Sequence, residues 1–167
     1  MSVSMHKTIQ ENDSRLRLFY LYRILEQHTD EEHPLTTNQL RKLMEERHGI
    51  TMYRTTMYND IELLKSAGVF IHCYRAKANQ YYLESRKFEL SELKLLIDAV
   101  ESSRFMTEEQ SWHLVEKLVT LTSTSNADKL KQNLYVSGRV KAPNKQIFYI
   151  LDAVNEAINS GRLISFQ

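Results

Sequence analysis

The chain has a single cysteine, Cys73, so neither an intramolecular disulfide nor a cysteine-rich zinc site can be built from it. With only 4 glycines and 2 prolines it excludes collagen-like and long low-complexity architecture, and the balance of composition favours helices. No apolar run approaches the roughly 20 residues of a membrane span, and Met1 to Ser14 lacks the apolar centre of a signal peptide. A cytoplasmic protein with no membrane partner is expected. Excess charge of one sign is missing as well: 22 Lys and Arg stand against 21 Asp and Glu, a net charge of +1, so any basic surface has to be local. The 6 histidines show no zinc-like spacing, and nucleophile elbows, glycine-rich phosphate loops and paired carboxylates are not found. The sequence reads as a protein that is not an enzyme and needs no metal or cofactor.

What remains is a chain of 167 residues, 42% hydrophobic and 26% charged, long enough to bury a core in one domain or two small ones. Leu18, Leu21, Tyr22 and Leu25 recur at helical spacing and predict a first helix from Ser14, a candidate N-cap, to about His28. Thr36 followed by Gln39 is a capping-box pattern that opens a second helix, apolar at Leu40, Leu43 and Met44 and ended by Gly49. A third helix, 52–67, buries Met57, Ile61 and Leu64 and stops at Gly68. The period then drops towards two: VFIHCY and QYYLE flank Arg75 to Asn79 and predict a β-hairpin. Three helices followed by a hairpin is the order of a winged helix-turn-helix.

After Phe88 the pattern is helical again. Leu90, Leu93, Ile97 and Val100 mark one helix; Leu114, Leu118 and Leu121, after a Thr107 cap, mark the next. A short piece lies around Leu130, with a loop expected at Thr122 to Asn126. Arg139 to Asn144 reads as a basic loop. A last helix covers roughly Lys145 to Asn159, Gly161 ends it, and Leu163 to Phe166 looks like a strand without a partner. The fold expected is mainly α: a winged helix-turn-helix domain over 1–84, a helical connector and dimerisation region over 85–161, and the start of a further, truncated domain over 162–167.

The third helix carries side chains suited to reading base edges in a major groove, where Arg pairs with guanine and Asn with adenine. The candidates are Tyr53, Arg54, Thr55, Thr56, Tyr58 and Asn59. Thr36, Thr37 and Asn38, at the start of the second helix, are candidates for a phosphate, and the hairpin offers Arg75, Lys77, Asn79 and Gln80 with no acid between Ile71 and Tyr82. That local positive finger, a wing over 71–82, suits a DNA backbone or minor groove. Asp60 would be unwelcome beside phosphate, so structural work is expected of it, as a cap or as the partner of an arginine. Tyr81 and Tyr82 read as hairpin packing, and Cys73 as a buried strand residue.

The run YRTTMYNDIELL, Tyr53 to Leu64, with Gly68 after it, resembles the recognition helix of the bacterial transcriptional regulators that join an N-terminal winged helix to a WYL domain. KFELSELKLLIDAVESSRFMT and RVKAPNKQIFYILDAVNEAINSGRLISF are similar to the helical connector of those proteins and to the entry into their WYL domain, so the likeness covers most of Ser14 to Gln167. It departs at Asn59 and Thr55, where the family often has Arg or Lys, and at Tyr53, where a capping Ser is usual. The Trp-Tyr-Leu motif is absent, and no effector-sensing residue can be carried over. The resemblance implies a transcriptional regulator represented by its DNA-binding and connector portion.

Taken together, the residues predict a sequence-specific regulator that binds double-stranded DNA, on a palindromic operator, as a homodimer held by the helices after Phe88. The rival is a winged-helix adaptor that binds protein and not DNA, with Phe105 and Trp112 in its interface or in its core.

Overall fold

The computed structural model describes residues 14–75, 77–132 and 147–164. Among them the chain is mainly helical, with a small three-stranded antiparallel sheet. It divides into two compact units, one holding residues up to Lys87 together with Thr122–Asn126, the other Phe88–Leu121 and the residues from Ala127 on.

The first unit contains α1 (Ser14–His28), β1 (Leu35–Thr36), α2 (Thr37–His48), α3 (Arg54–Ser66) and the hairpin of β2 (Ile71–Tyr74) and β3 (Gln80–Leu83). Its core is set by the helical stripes. Leu21 and Leu25 of α1, Leu40 and Met44 of α2, and Met57 and Ile61 of α3 are almost wholly shielded from water, and Leu18, Tyr22 and Leu43 pack around them. Each such side chain contributes about 1.5–3 kcal/mol by leaving water. The capping box is formed as expected: Gln39 N donates to Thr36 Oγ1 at 3.3 Å, and Thr36 N donates to Gln39 Oε1 at 2.8 Å. Gly49 closes α2 at φ 66°, a conformation that a side chain with a Cβ disfavours.

The two-residue strand β1 was not legible in the sequence. A helix N-cap needs an extended backbone, and Thr36 has it at φ −72° and ψ 158°, so the same residue that caps α2 also pairs with a strand. It lies opposite Gln80, with Leu35 opposite Tyr81, which makes β3 the central strand of the order β1-β3-β2. In the hairpin Ile71 faces Leu83 and Cys73 faces Tyr81, all four in or against the core. His72, Tyr74 and Tyr82 form an aromatic column on the opposite face, with Tyr82 stacked on His72 at 5.1 Å and on Tyr74 at 5.7 Å. Burial, reinforced by Tyr74, pushes the Tyr82 phenol up to about 12. Tyr81 and Tyr82 are both buried, as hairpin packing requires; Cys73 is half-buried.

A polar knot ties the turn after α1 to distant parts of the same unit. Thr29 Oγ1 donates to Leu25 O at 2.6 Å and accepts from Leu83 N at 3.0 Å. Asp30 Oδ1 accepts from Glu32 N, His33 N and the His33 ring, while Oδ2 accepts from the buried Ser123 hydroxyl at 2.5 Å. Arg86 donates to the carbonyls of Glu26 and Thr29 at 2.8 and 2.5 Å. Burial alone would push the Asp30 carboxyl up, but the bonds from Ser123 and His33 outweigh it and hold it below its ordinary range.

In the second unit α4 (Leu90–Ser102), α5 (Glu108–Val119) and α6 (Thr124–Gln132), the last from Ala127 on, enclose Leu93, Ile97, Val115, Val119 and Leu130. The expected loop at Thr122 to Asn126 is shorter than the sequence suggested, because α6 already begins at Thr124. The buried stripe of α5 is also turned relative to the expectation: Ser111, Val115 and Val119 are inside, Leu114 and Leu118 are partly buried, and Leu121 is exposed. A serine can take the inner position because its hydroxyl donates to Thr107 O at 3.0 Å, one helical turn back. Thr107 caps α5 as expected, and the structure adds Gln110 as its partner in a capping box. The last helix, α7 (Ile147–Asn159), exposes Tyr149, Ile150 and Ile158, and Gly161 follows it at φ 63°. Residues 162–164 are not in a strand, while the rest of the expected strand and the Arg139 to Asn144 loop lie outside the described residues.

Candidate nucleic-acid interface

The face of α3 opposite the core is set by the helical period. Met57, Asp60, Ile61 and Leu64 point inward, which leaves Arg54, Thr55, Tyr58 and Asn59 exposed and Thr56 half-buried. The helix begins two residues later than expected, at Arg54. Met52 is buried, and its carbonyl accepts from Arg41 Nε at 2.6 Å, which pins the turn between α2 and α3. Tyr53 occupies the N-cap position without a side-chain cap bond and is 81% exposed, so its ring stands free at the helix entrance.

Asp60 is only 1% exposed. Its carboxylate receives Arg17 Nε at 2.5 Å and Arg17 Nη2 at 2.9 Å, a two-pronged pair that also raises the Arg17 pKa, chiefly through that hydrogen bond. The acid expected to do structural work is thus paired with an arginine of α1, and the exposed side chains from Tyr53 to Asn59 carry no negative charge. The next acid, Glu62, pairs with Lys65 at 2.9 Å.

At the start of α2 the three candidates have separate fates. The Thr36 hydroxyl is occupied by the capping box. Thr37 is buried at 6% exposure with its hydroxyl turned inward, so its side chain presents no group to a phosphate as it stands. Asn38 is exposed, and its Oδ1 accepts from Arg54 Nη2 at 3.1 Å, a bond between the first turns of α2 and α3. At the hairpin Arg75 and Lys77 are exposed and, among the described residues, have no ion-pair partner; Asn79 and Gln80 are half-buried, with Asn79 Nδ2 donating to Tyr81 Oη at 3.4 Å.

These groups are linked to one another. Thr36 pairs with Gln80 across β1 and β3, Asn38 bonds to Arg54, and Met57 and Ile61 of α3 share one core with Ile71 and Tyr81 of the hairpin. Burial raises the pKa of the Tyr81 phenol; the Asn79 amide opposes the rise, and Cys73 and Tyr58 add to it. The start of α2, the outer face of α3 and the root of the hairpin therefore belong to one continuous arrangement. The Asn38 to Arg54 bond was missed in the sequence, because two polar residues 16 positions apart give no periodic signal.

Among the described residues no group of three or more His, Cys, Asp or Glu side chains could hold a metal ion, and no helix is long and apolar enough to cross a membrane. No protein-family model, curated protein or solved structure matches the chain in comparison.

Proposed function

We propose that the protein is a sequence-specific regulator that binds double-stranded DNA, with its first unit acting as a winged helix-turn-helix. In this reading α3 enters the major groove, where Arg54, Thr55, Tyr58 and Asn59 meet base edges, and Tyr53 and Thr56 flank them. Arg75 and Lys77 touch the flanking backbone or minor groove. The observation that carries the reading is the outer face of α3, cleared of negative charge by the inward pairing of Asp60 and tied at its first turn to Asn38, on a helix whose inner face shares one core with the hairpin. The likeness of Tyr53 to Leu64 to the recognition helix of the WYL-domain regulators supports it.

One such module binds weakly, so a homodimer on a palindromic operator in the cytoplasm completes the proposal, with half-sites about one helical turn or a multiple of it apart. The second reading is a protein-binding adaptor. It is favoured by the exposed Leu95, Phe105 and Trp112, and by the open apolar hollow along α5 that Met106, Trp112 and Leu114 line. Selection of bound duplexes from a random pool separates the two. A regulator enriches a palindromic motif and loses affinity steeply with added salt; recovery of no motif, with binding indifferent to salt, overturns the DNA reading.

A further inference from the structure

Asn38 and Arg54 are both exposed, yet each has a defined partner in the other. Arg54 stands at the first position of α3 and Asn38 in the first turn of α2, and the bond joining them runs from Nη2 to Oδ1 at 3.1 Å. An arginine guanidinium has five N–H donors in a planar fork. Occupying one of them restrains the fork while leaving the second hydrogen on Nη2, and both on Nη1, free to donate. Two parallel donors of that kind match O6 and N7 of guanine. An exposed arginine otherwise samples many rotamers, and holding it before the DNA arrives removes part of the ordering that a base contact demands. The bond uses the Asn38 carbonyl and leaves its amide N–H donors free, so a role through Arg54 has to be told apart from a phosphate contact by experiment.

We infer that Asn38 is a positioning residue that holds the Arg54 guanidinium in the orientation for two-pronged recognition of a guanine. The inference rests on the proposed DNA-binding function and assigns one base of the site to one pair of side chains. Arg54 carries the specificity, and Asn38 acts on it through Arg54.

The test uses the full chain and the duplex enriched by selection, with each base pair of a half-site replaced in turn. For the wild type, one guanine is expected to be preferred over the other bases by about tenfold or more, the size typical of a good two-pronged contact, and replacing it by 7-deazaguanine, which lacks the N7 acceptor, is expected to cost much of that preference. Arg54→Ala abolishes the preference at that position. Asn38→Ala reduces it several-fold, lowering affinity for the selected duplex more than for random duplex. Asn38→Asp keeps an acceptor in place and retains the preference at that base, even where its added negative charge weakens binding overall. A phosphate ligand would behave in the opposite way: Asn38→Ala would weaken all duplexes alike with the base preference intact, and that result overturns the inference while leaving the DNA-binding reading standing. Failure of the wild type to enrich any duplex removes the reading itself.

Discussion

The Asp60 carboxylate lies on the helix that exposes Arg54 and Asn59, yet it is clamped from inside by the Arg17 guanidinium at 2.5 and 2.9 Å. The pair does two things at once. It fastens α3 to α1, and it withdraws the only acid of the first two helical turns from the outer face.

Breaking that pair should be costly. With Asp60 at 1% exposure, Arg17→Ala leaves a buried carboxylate without its counter-charge, and a loss of about 3–5 kcal/mol of folding stability is expected in urea titration. Replacing both partners by apolar residues of similar size, Arg17→Met with Asp60→Leu, should recover most of the loss, because no stranded charge then remains. A double variant as unstable as the single one would show that the pair acts by more than mutual neutralisation.

Arg54 and Lys77 are expected to fail in different ways. Arg54→Ala should cost about 1–3 kcal/mol of operator binding and relax the preference at one base; Lys77→Ala should weaken all duplexes alike and make the salt dependence shallower by about one ion. Fluorescence anisotropy over a salt series, on selected and random duplexes, checks both. Identical profiles for the two variants would refute the division between base reading and backbone contact.

The Ser123 hydroxyl should hold the Asp30 knot together. Ser123→Ala removes a buried bond to a carboxylate and is expected to destabilise the first unit by about 1–3 kcal/mol. The folded Asp30 has its pKa below the ordinary 3.8, so it contributes stability that is present above that value and is lost as pH falls through the lower folded one. The acid limb of the wild-type stability curve should therefore become less steep below about pH 4 in Ser123→Ala. An unchanged acid limb would mean that the Ser123 bond does not set that titration.

His28 and His48 predict a second pH window. Both have pKa values lowered from the ordinary 6.5, by burial first and by Arg47 after it, and His48 stacks on Tyr20 at 3.9 Å. Below that value the unfolded chain takes up protons that the folded chain resists, so stability should fall as pH drops from about 7 to about 5. His48→Phe, which keeps a ring on Tyr20, should flatten that fall in part. A steeper fall in the variant would reverse the sign assigned to His48.

The helices, some of their caps and the hairpin were legible in the sequence because the interactions that create them are local. The stripe of Leu21 and Leu25, the Thr36 to Gln39 box, the Thr107 cap and the glycine stop at Gly49 all act within a helical turn or so, and each is found where its spacing placed it. The exposed side of α3 followed from the same period. Other features depend on which distant groups meet once the core has closed. Arg17 finds Asp60 across 43 positions and Ser123 finds Asp30 across 93, partnerships that no short window contains. The α5 stripe turned for a related reason: two overlapping apolar rows were available, and packing against α4 chose the row with Ser111 in it, whose hydroxyl could be satisfied one turn back. Sequence by itself determined the helices and the hairpin, and the faces of the first three helices, through periodicity and capping. Tertiary structure decided which charges were hidden and which arginine was held, because burial and long-range pairing exist only after the chain has brought those groups together.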